Sequence, residues 1–322
     1  MDMMGVSFIV PCFNASEFVE QCCLMLLQQT DTRFEIVFVD DGSSDNTLEK
    51  LKGLEANNIT VVSQENRGIA GARLTGLNNA KFDYVAFVDV DDFVDDTLTG
   101  EVITIFNEYP ETQAVLYNFG YYTLGEFKSF PHDFSVPCTG LDIVRKTIPS
   151  WRAYTNGVMR KDHAIYGYSE SLPDTTNSDE MANRIAILKC KEVRKAKSKY
   201  YYVVRKDSTS TRVSDKLLTR LDTAFWARRV LPGYFSDSYI SRDLYIFVLT
   251  EYCSLFLLFY RERKKISSES KLVWIKSLKS AGSDLLSSTN LSYLRSAGVK
   301  KVFFLLFTCI FFVFHRIFGR KK

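Results

Sequence analysis

Apolar and polar positions follow two rhythms along the first hundred residues. Val6–Val10 (VSFIV) is an apolar, β-rich run cut by Pro11, and it reads as a central parallel strand buried on both faces. After the loop Pro11–Ser16, Phe18, Val19, Cys22, Leu26 and Leu27 recur at helical spacing. They predict a helix to about Gln29, with Ser16 as its N-cap. Phe34–Val39 (FEIVFV) is a second strand, ending in the acidic turn Asp40–Asp45 (DDGSSD). Gly42 suits a tight bend there, and a serine or aspartate would cap the next helix. Ile59–Val62 is a short third strand, and Gly68–Ala80 reads as a helix carrying Arg73 in its first two turns. Tyr84–Val88 is a fourth strand, and it runs directly into Asp89-Val90-Asp91-Asp92.

Strands and helices alternating at this spacing predict an α/β fold with a doubly wound, mostly parallel sheet. Parallel strands put their carboxyl ends on one edge, where open α/β sheets bind ligands. Here that edge collects Asn14, Asp40 and Asp41, and Asp89, Asp91 and Asp92. Three carboxylates within four residues repel one another and resist desolvation, so a cation should meet them. A divalent metal is the natural candidate, with a charged, solvated turn as the alternative. No G-x-G-x-x-G follows the first strand, and the chain has no G-x-x-x-x-G-K-[ST] loop. A phosphate ligand would therefore rely on a metal and an arginine.

Composition changes the picture mainly through charge. Net charge is +3 over 322 residues, but residues 1–231 carry about −6 and residues 232–322 about +9. A basic C-terminal third points to an anionic partner. The tail also reads as helical, over 217–231 and 243–260, and ends in an apolar run, Val302–Phe314. Lys300, Lys301, Arg316, Arg320, Lys321 and Lys322 flank that run. A spanning helix needs roughly twenty apolar residues. Residues 300–322 therefore read as an interfacial or partly inserted anchor on a cytoplasmic membrane surface. A short tilted span, a terminal core helix or an oligomer interface are the alternatives. Basic residues surrounding an apolar segment argue against nucleic-acid binding. The seven cysteines show no metal-ligand spacing and the three histidines no pairing. A strand starting at Val6 leaves no room for a signal peptide, so a reduced, cytoplasmic setting is expected.

Four segments together carry a resemblance. Val6–Asn14 (VSFIVPCFN), Ile36–Asp45 (IVFVDDGSSD), Asn66–Gly76 (NRGIAGARLTG) and Tyr84–Asp92 (YVAFVDVDD) are similar, in order and spacing, to the family 2 glycosyltransferases. That is an inverting class with the GT-A nucleotide-sugar-binding fold. The resemblance spans roughly 5–215, divided into a nucleotide-sugar half (1–100) and an acceptor half (101–215), with a helical, basic C-terminal region over 216–322. It implies that Asp41 hydrogen-bonds the nucleobase, that Phe13 packs near it, and that the backbone at Pro11 lines the same pocket. Asn14 and Asn66 would join that donor site, and Arg73 would contact the diphosphate. Asp89-Val90-Asp91 would be the DxD motif. Asp91 is then the direct ligand of Mn²⁺ or Mg²⁺, Asp89 lies nearer the ribose and metal waters, and Asp92 faces the donor sugar or the acceptor.

An inverting transfer also needs a base for the acceptor hydroxyl. In Ser178-Asp179-Glu180-Met181, ahead of the apolar helical pattern Ala182–Leu188, Asp179 aligns with the family aspartate. Ser178 replaces the family's preceding glutamate, Glu180 is the runner-up and Asp174 a third choice. A helix N-cap is the structural alternative for Ser178 or Asp179. Tyr200–Arg205 and Ser208–Ser210 resemble the close of the family domain, where Arg205 could meet phosphate, and Trp151 lies where an acceptor wall would begin. The expected activity is transfer of a sugar from a nucleotide sugar, a UDP-sugar foremost, to a saccharide acceptor, lipid-linked, in cell-surface polysaccharide synthesis. Two alternatives stand beside it: transfer to polyprenyl phosphate, and a non-catalytic nucleotide-sugar-binding scaffold.

Overall fold

The computed structural model describes residues 4–130, 134–148, 156–170, 175–205, 213–236 and 239–287. Trp151, Asp174, Ser208–Ser210 and the anchor segment 300–322 lie outside the described residues. The chain divides into two compact units. The first runs to Arg205, and the second holds 206–322 together with Ile148–Trp151 and Thr175–Asn177. This division lies at 205/206, beside the expected boundary at 215/216.

The first unit opens with β1 (Val6–Cys12), α1 (Val19–Leu26), β2 (Phe34–Asp41), α2 (Thr47–Lys52), β3 (Ile59–Gln64), α3 (Gly68–Asn79) and β4 (Tyr84–Phe87). It continues with β5 (Phe93–Val94), α4 (Leu98–Glu108), β6 (Ala114–Thr123), β7 (Glu126–Ser129), α5 (Gly140–Thr147) and β8 (Gly157–Arg160). α6 (Lys161–Glu170), α7 (Ser178–Leu188) and β9 (Val193–Val203) close it. Among the described residues the sheet order is β3-β2-β1-β4-β8-β6-β9-β5, with β7 on β6. β3, β2, β1 and β4 are mutually parallel, β8 is antiparallel to both β4 and β6, and β6 is parallel to β9. A mixed, mostly parallel sheet flanked by helices is the architecture that the resemblance implies.

Strand ends depart from the sequence expectation: β1, β2 and β3 run further, and β4 stops one residue sooner. β1 continues through Pro11, in register with Val39, to Cys12, and β2 continues through Asp40 to Asp41. Pro11 costs little there, because a strand end can spare one N–H. The helix expected from Ser16 begins only at Val19 and stops at Leu26. Ser16 does not cap it; its N–H donates instead to Asp45 Oδ2 at 3.2 Å. Buried Phe8, Ile36, Phe38, Val88, Val102, Phe106 and Tyr117 form the larger core, while Val37, Val39 and Ala72 pack on the opposite face. α6 and α7 approach so closely at Gly167 that a Cβ there would lie 2.2 Å from the Ala182 carbonyl oxygen.

The second unit contains α8 (Thr219–Val230), α9 (Tyr239–Glu262) and α10 (Ser268–Ser287). Phe259 of α9 stacks on Trp274 of α10 at 5.9 Å, and Trp274 Nε1 donates to Asp215 Oδ1 at 3.0 Å. α9 carries Glu251, whose Oε2 lies 2.5 Å from Arg220 Nη2 on α8. Residues Ile240–Glu262 are long and apolar enough to cross a membrane, yet about half of that stretch is buried inside the protein.

Candidate functional site

The carboxyl ends of β1, β2 and β4 do share one edge, and hydrogen bonds tie their loops together. Asn14 adopts a left-handed backbone (φ 49°). Its N–H donates to Ser43 Oγ at 3.0 Å, and its Oδ1 accepts from the Ser44 N–H at 2.8 Å. Ala15 N–H donates to Thr47 Oγ1 at 2.8 Å. Burial acts to raise the Asp45 carboxyl, but hydrogen bonds from Thr47 and Ser16 outweigh it and bring it down to about 2. Asn14 thus joins the β1 loop to the β2 loop, while Phe13 beside it stands 52% exposed at the open edge.

Asp41 is buried, and its Oδ1 already accepts from Gln64 Nε2 at 2.6 Å and the Arg67 N–H at 2.8 Å. It therefore pins the segment leading into α3 as well as reaching the edge. Gly42 follows with φ 72°, and a Cβ there would lie 2.8 Å from the Asn66 nitrogen. That contact sets Asn66 against the same turn, where its Oδ1 accepts from the Gly68 N–H at 3.3 Å.

At the end of β4 the three aspartates part company. Asp89 Oδ1 lies 2.7 Å from Arg73 Nη2, and its carboxylate is about one-third exposed. Asp91 is similarly exposed, and Arg205 Nη2 donates to its backbone carbonyl at 3.1 Å. Burial, then the charge of Asp89, raises the Asp91 carboxyl, with Arg205 opposing. Asp92 turns the other way. It is 2% exposed, its Oδ2 accepts from Tyr200 Oη at 2.8 Å, and its Oδ1 accepts from the Val203 N–H at 2.9 Å. Burial pushes its carboxyl well up, with Asp89 adding to the shift. The resemblance would have Asp92 face the donor sugar or the acceptor; in this structure both carboxylate oxygens accept from β9, which makes it a strut between the acidic turn and that strand. Tyr200 completes that strut by accepting the Asp89 N–H at 3.0 Å.

Arg73, for which the resemblance implies a diphosphate contact, is 3% exposed. Its Nη1 donates to Tyr168 Oη and to Asp179 Oδ2, both at 3.0 Å, and its guanidinium lies 5.1 Å from the Phe87 ring centre. Burial alone would disfavour its charge; Tyr168, Asp89 and Asp179 hold it firmly protonated. One buried guanidinium thus joins the β4 turn to the first turn of α7. Asp179 is about one-quarter exposed, leaving an open side to the carboxylate. Glu180 pairs with Arg184 one turn on, and burial raises its carboxyl against that pairing. The fully buried Arg184 thus ties Glu180 down, whereas the Asp179 carboxylate keeps an open side. Ser178 lies within α7, not ahead of it, and among the described residues its hydroxyl has no hydrogen-bond partner.

Tyr168 and Asn183 extend the arrangement and were not singled out from sequence. Tyr168 Oη donates to Asn183 Oδ1 at 3.1 Å, and Asn183 Nδ2 donates to Asn156 Oδ1 at 2.6 Å. Neither residue sits in a recognisable motif, so no local signal announced them.

The described residues contain no group of three or more His, Cys, Asp or Glu side chains placed to hold a metal by themselves. The donor set nevertheless fits a hard divalent cation. Mg²⁺ in particular is commonly held by one or two carboxylates together with substrate phosphates. Asp89 and Asp91 are two such carboxylates, partly exposed, and Asp91 is short of compensating charge.

Residues 7–166 match the glycosyl transferase family 2 model. The chain carries a family 2 glycosyltransferase domain. Over 119 residues this domain is 37% identical to a poly-beta-1,6-N-acetyl-D-glucosamine synthase of Staphylococcus aureus (strain COL), a match covering 36% of the chain. It spans only 29% of that relative's length. The fold of the chain is similar to that of Staphylococcus aureus TarS 1-349, crystallised with UDP-GlcNAc. That likeness has a TM-score of 0.62 at 18% identity and covers 92% of this chain and 89% of TarS 1-349. The mannosyltransferase PcManGT of Pyrobaculum calidifontis, in complex with GDP-Man and Mn²⁺, superposes with a TM-score of 0.51 at 16% identity, covering 99% and 90% of the two chains.

Proposed function

We propose that this protein is an inverting glycosyltransferase that moves a sugar from a UDP-sugar to a saccharide acceptor, lipid-linked, at the cytoplasmic face of a membrane, in cell-surface polysaccharide synthesis. The observation that carries the reading is Arg73, which brings Asp89 and Asp179 to one guanidinium across 90 residues of chain. A donor site and a carboxylate base are thereby held side by side. The relative named as a polysaccharide synthase and the UDP-GlcNAc complex of the TarS neighbour support the donor and product classes.

Phe13, the backbone at Pro11, Asn14, Asp41 and Asn66 would receive the nucleoside. Asp91, with Asp89, would hold Mn²⁺ or Mg²⁺, which when bound offsets charge on the diphosphate. Asp179 takes the proton of the acceptor hydroxyl as that oxygen bonds to the anomeric carbon. The bond from the anomeric carbon to the diphosphate oxygen breaks with its electron pair, and UDP leaves. Attack opposite the leaving group converts an α-linked donor into a β-glycoside. Arg73 holds the Asp179 carboxylate in place through its 3.0 Å contact with Oδ2, acting as a positioning residue.

Screening nucleotide sugars for thermal stabilisation and for divalent-metal-dependent UDP release identifies the donor. Asp91→Asn and Asp179→Asn are both expected to abolish transfer. Binding of UDP-sugar should fail mainly in the first. Normal turnover by Asp179→Asn would remove the base assignment and favour an acceptor, such as a lipid phosphate, that is already ionised.

A further inference from the structure

The two proposed metal ligands have counter-ions of very different kinds. Asp89 faces Arg73, a side chain only 4% exposed and fixed by Tyr168 and Asp179 as well. Asp91 faces Arg205, which is 29% exposed, with Nε 3.6 Å from Asp91 Oδ2. That distance is long for a charge-assisted bond. Arg205 lies two residues past the end of β9 and is steadied from its other side by Phe18, whose ring centre lies 3.7 Å from the guanidinium. Among the described residues Asp91 is its one carboxylate partner.

A guanidinium carries a permanent positive charge, so it supplies at Asp91 part of what a metal ion would supply. It cannot do so at full strength through a 3.6 Å contact, and it has two other holds, on the Asp91 carbonyl and on Phe18. We propose that Arg205 is an internal counter-cation that competes with a divalent metal ion for the Asp91 carboxylate, held in the competing position by Phe18. The inference rests on the reading of Asp91 as a metal ligand. Arg73 is too deeply fixed to be exchanged; Arg205 is the cation the site can release. Its holds on the carbonyl and on the ring let it leave the carboxylate without the acidic turn coming loose from β9, because Tyr200 and Val203 grip that turn independently.

The test is calorimetric titration of Mn²⁺ into the full chain without nucleotide. Arg205→Gln is expected to bind Mn²⁺ roughly 2- to 5-fold more tightly than the unaltered protein, the equivalent of one partly exposed ion pair. Phe18→Leu should shift affinity the same way by less, and Asp91→Asn should abolish the tightening in either background. Urea midpoints confirm that each variant is folded. Equal or weaker Mn²⁺ binding by both Arg205→Gln and Phe18→Leu overturns the proposal. Binding that requires Asp91 but ignores Arg205 overturns this inference alone. If the unaltered protein binds no Mn²⁺ even with UDP present, the metal reading falls and this inference with it.

Discussion

Removing a single oxygen at Tyr168 tests how tightly the buried guanidinium is held. Tyr168→Phe keeps the ring, which packs on Phe87 with centroids 4.8 Å apart, so the change conserves shape. Two hydrogen bonds disappear. Arg73 Nη1 loses an acceptor at 3.0 Å, and Asn183 Oδ1 loses a donor at 3.1 Å. A hydrogen bond to a charged group contributes about 1.5–3 kcal/mol and a neutral one about 0.5–1.5 kcal/mol. Compensation is limited, because Arg73 Nε is already buried without a partner. The expected loss is about 2–4 kcal/mol, which at ordinary denaturant sensitivities lowers the urea midpoint by roughly 1–2 M. Urea unfolding of the full chain measures the total. Hydrogen exchange in α6 and α7 should locate the loss beside Asn183. A midpoint within about 0.2 M of the unaltered protein, with exchange unchanged in both helices, would refute the reasoning.

Tyr200→Phe removes the acceptor for the Asp89 N–H and the donor to Asp92, so stability should fall by about 2–3 kcal/mol. UDP binding measured by calorimetry should weaken with it; unchanged UDP affinity would separate the acidic turn from the donor site. Gly167→Ala pits helix propensity, which favours alanine by about 0.5–1 kcal/mol, against a Cβ 2.2 Å from the Ala182 carbonyl oxygen. The clash should win and lower Tm by several degrees, whereas a rise in Tm would show that α6 and α7 are less closely packed than described. Burial holds the His163 imidazole below its ordinary value, against the pull of Asp162, with Arg160 and Lys189 adding to the lowering. The unfolded chain then binds that proton more readily than the folded one. The His163 contribution to stability is therefore flat above about pH 6.5 and falls as pH drops from there toward the folded value. His163→Gln should flatten that limb when urea midpoints at pH 5.5 and 7.5 are compared, and parallel curves would exclude the group.

The polar strand ends that share one sheet edge were legible because their signals are local. β1, β2 and β4 are buried on both faces, so each reads as an unbroken apolar run, and the polar residue that ends each run is the one presented at the sheet edge. Asn14, Asp41, Asp89 and Asp91 could be named that way, and Asp179 only through the family resemblance of Ser178–Met181. Roles within the acidic turn were another matter. Asp91 and Asp92 are neighbours of identical chemistry, yet one is partly exposed and the other 2% exposed. Only β9, arriving beside the turn from more than 100 residues away, decides which is which, since Tyr200 and Val203 desolvate and bond Asp92. Arg73 shows the same division. Its presence in α3 was plain from the chain, but its burial was set by Tyr168 and Asp179, 95 and 106 residues further on. Hydrophobic period encodes which elements form and which face they bury. Desolvation and hydrogen-bond partners depend on what the closed sheet brings alongside, and it is those that made Asp92 a buried strut while leaving Asp91 partly exposed beside Arg205.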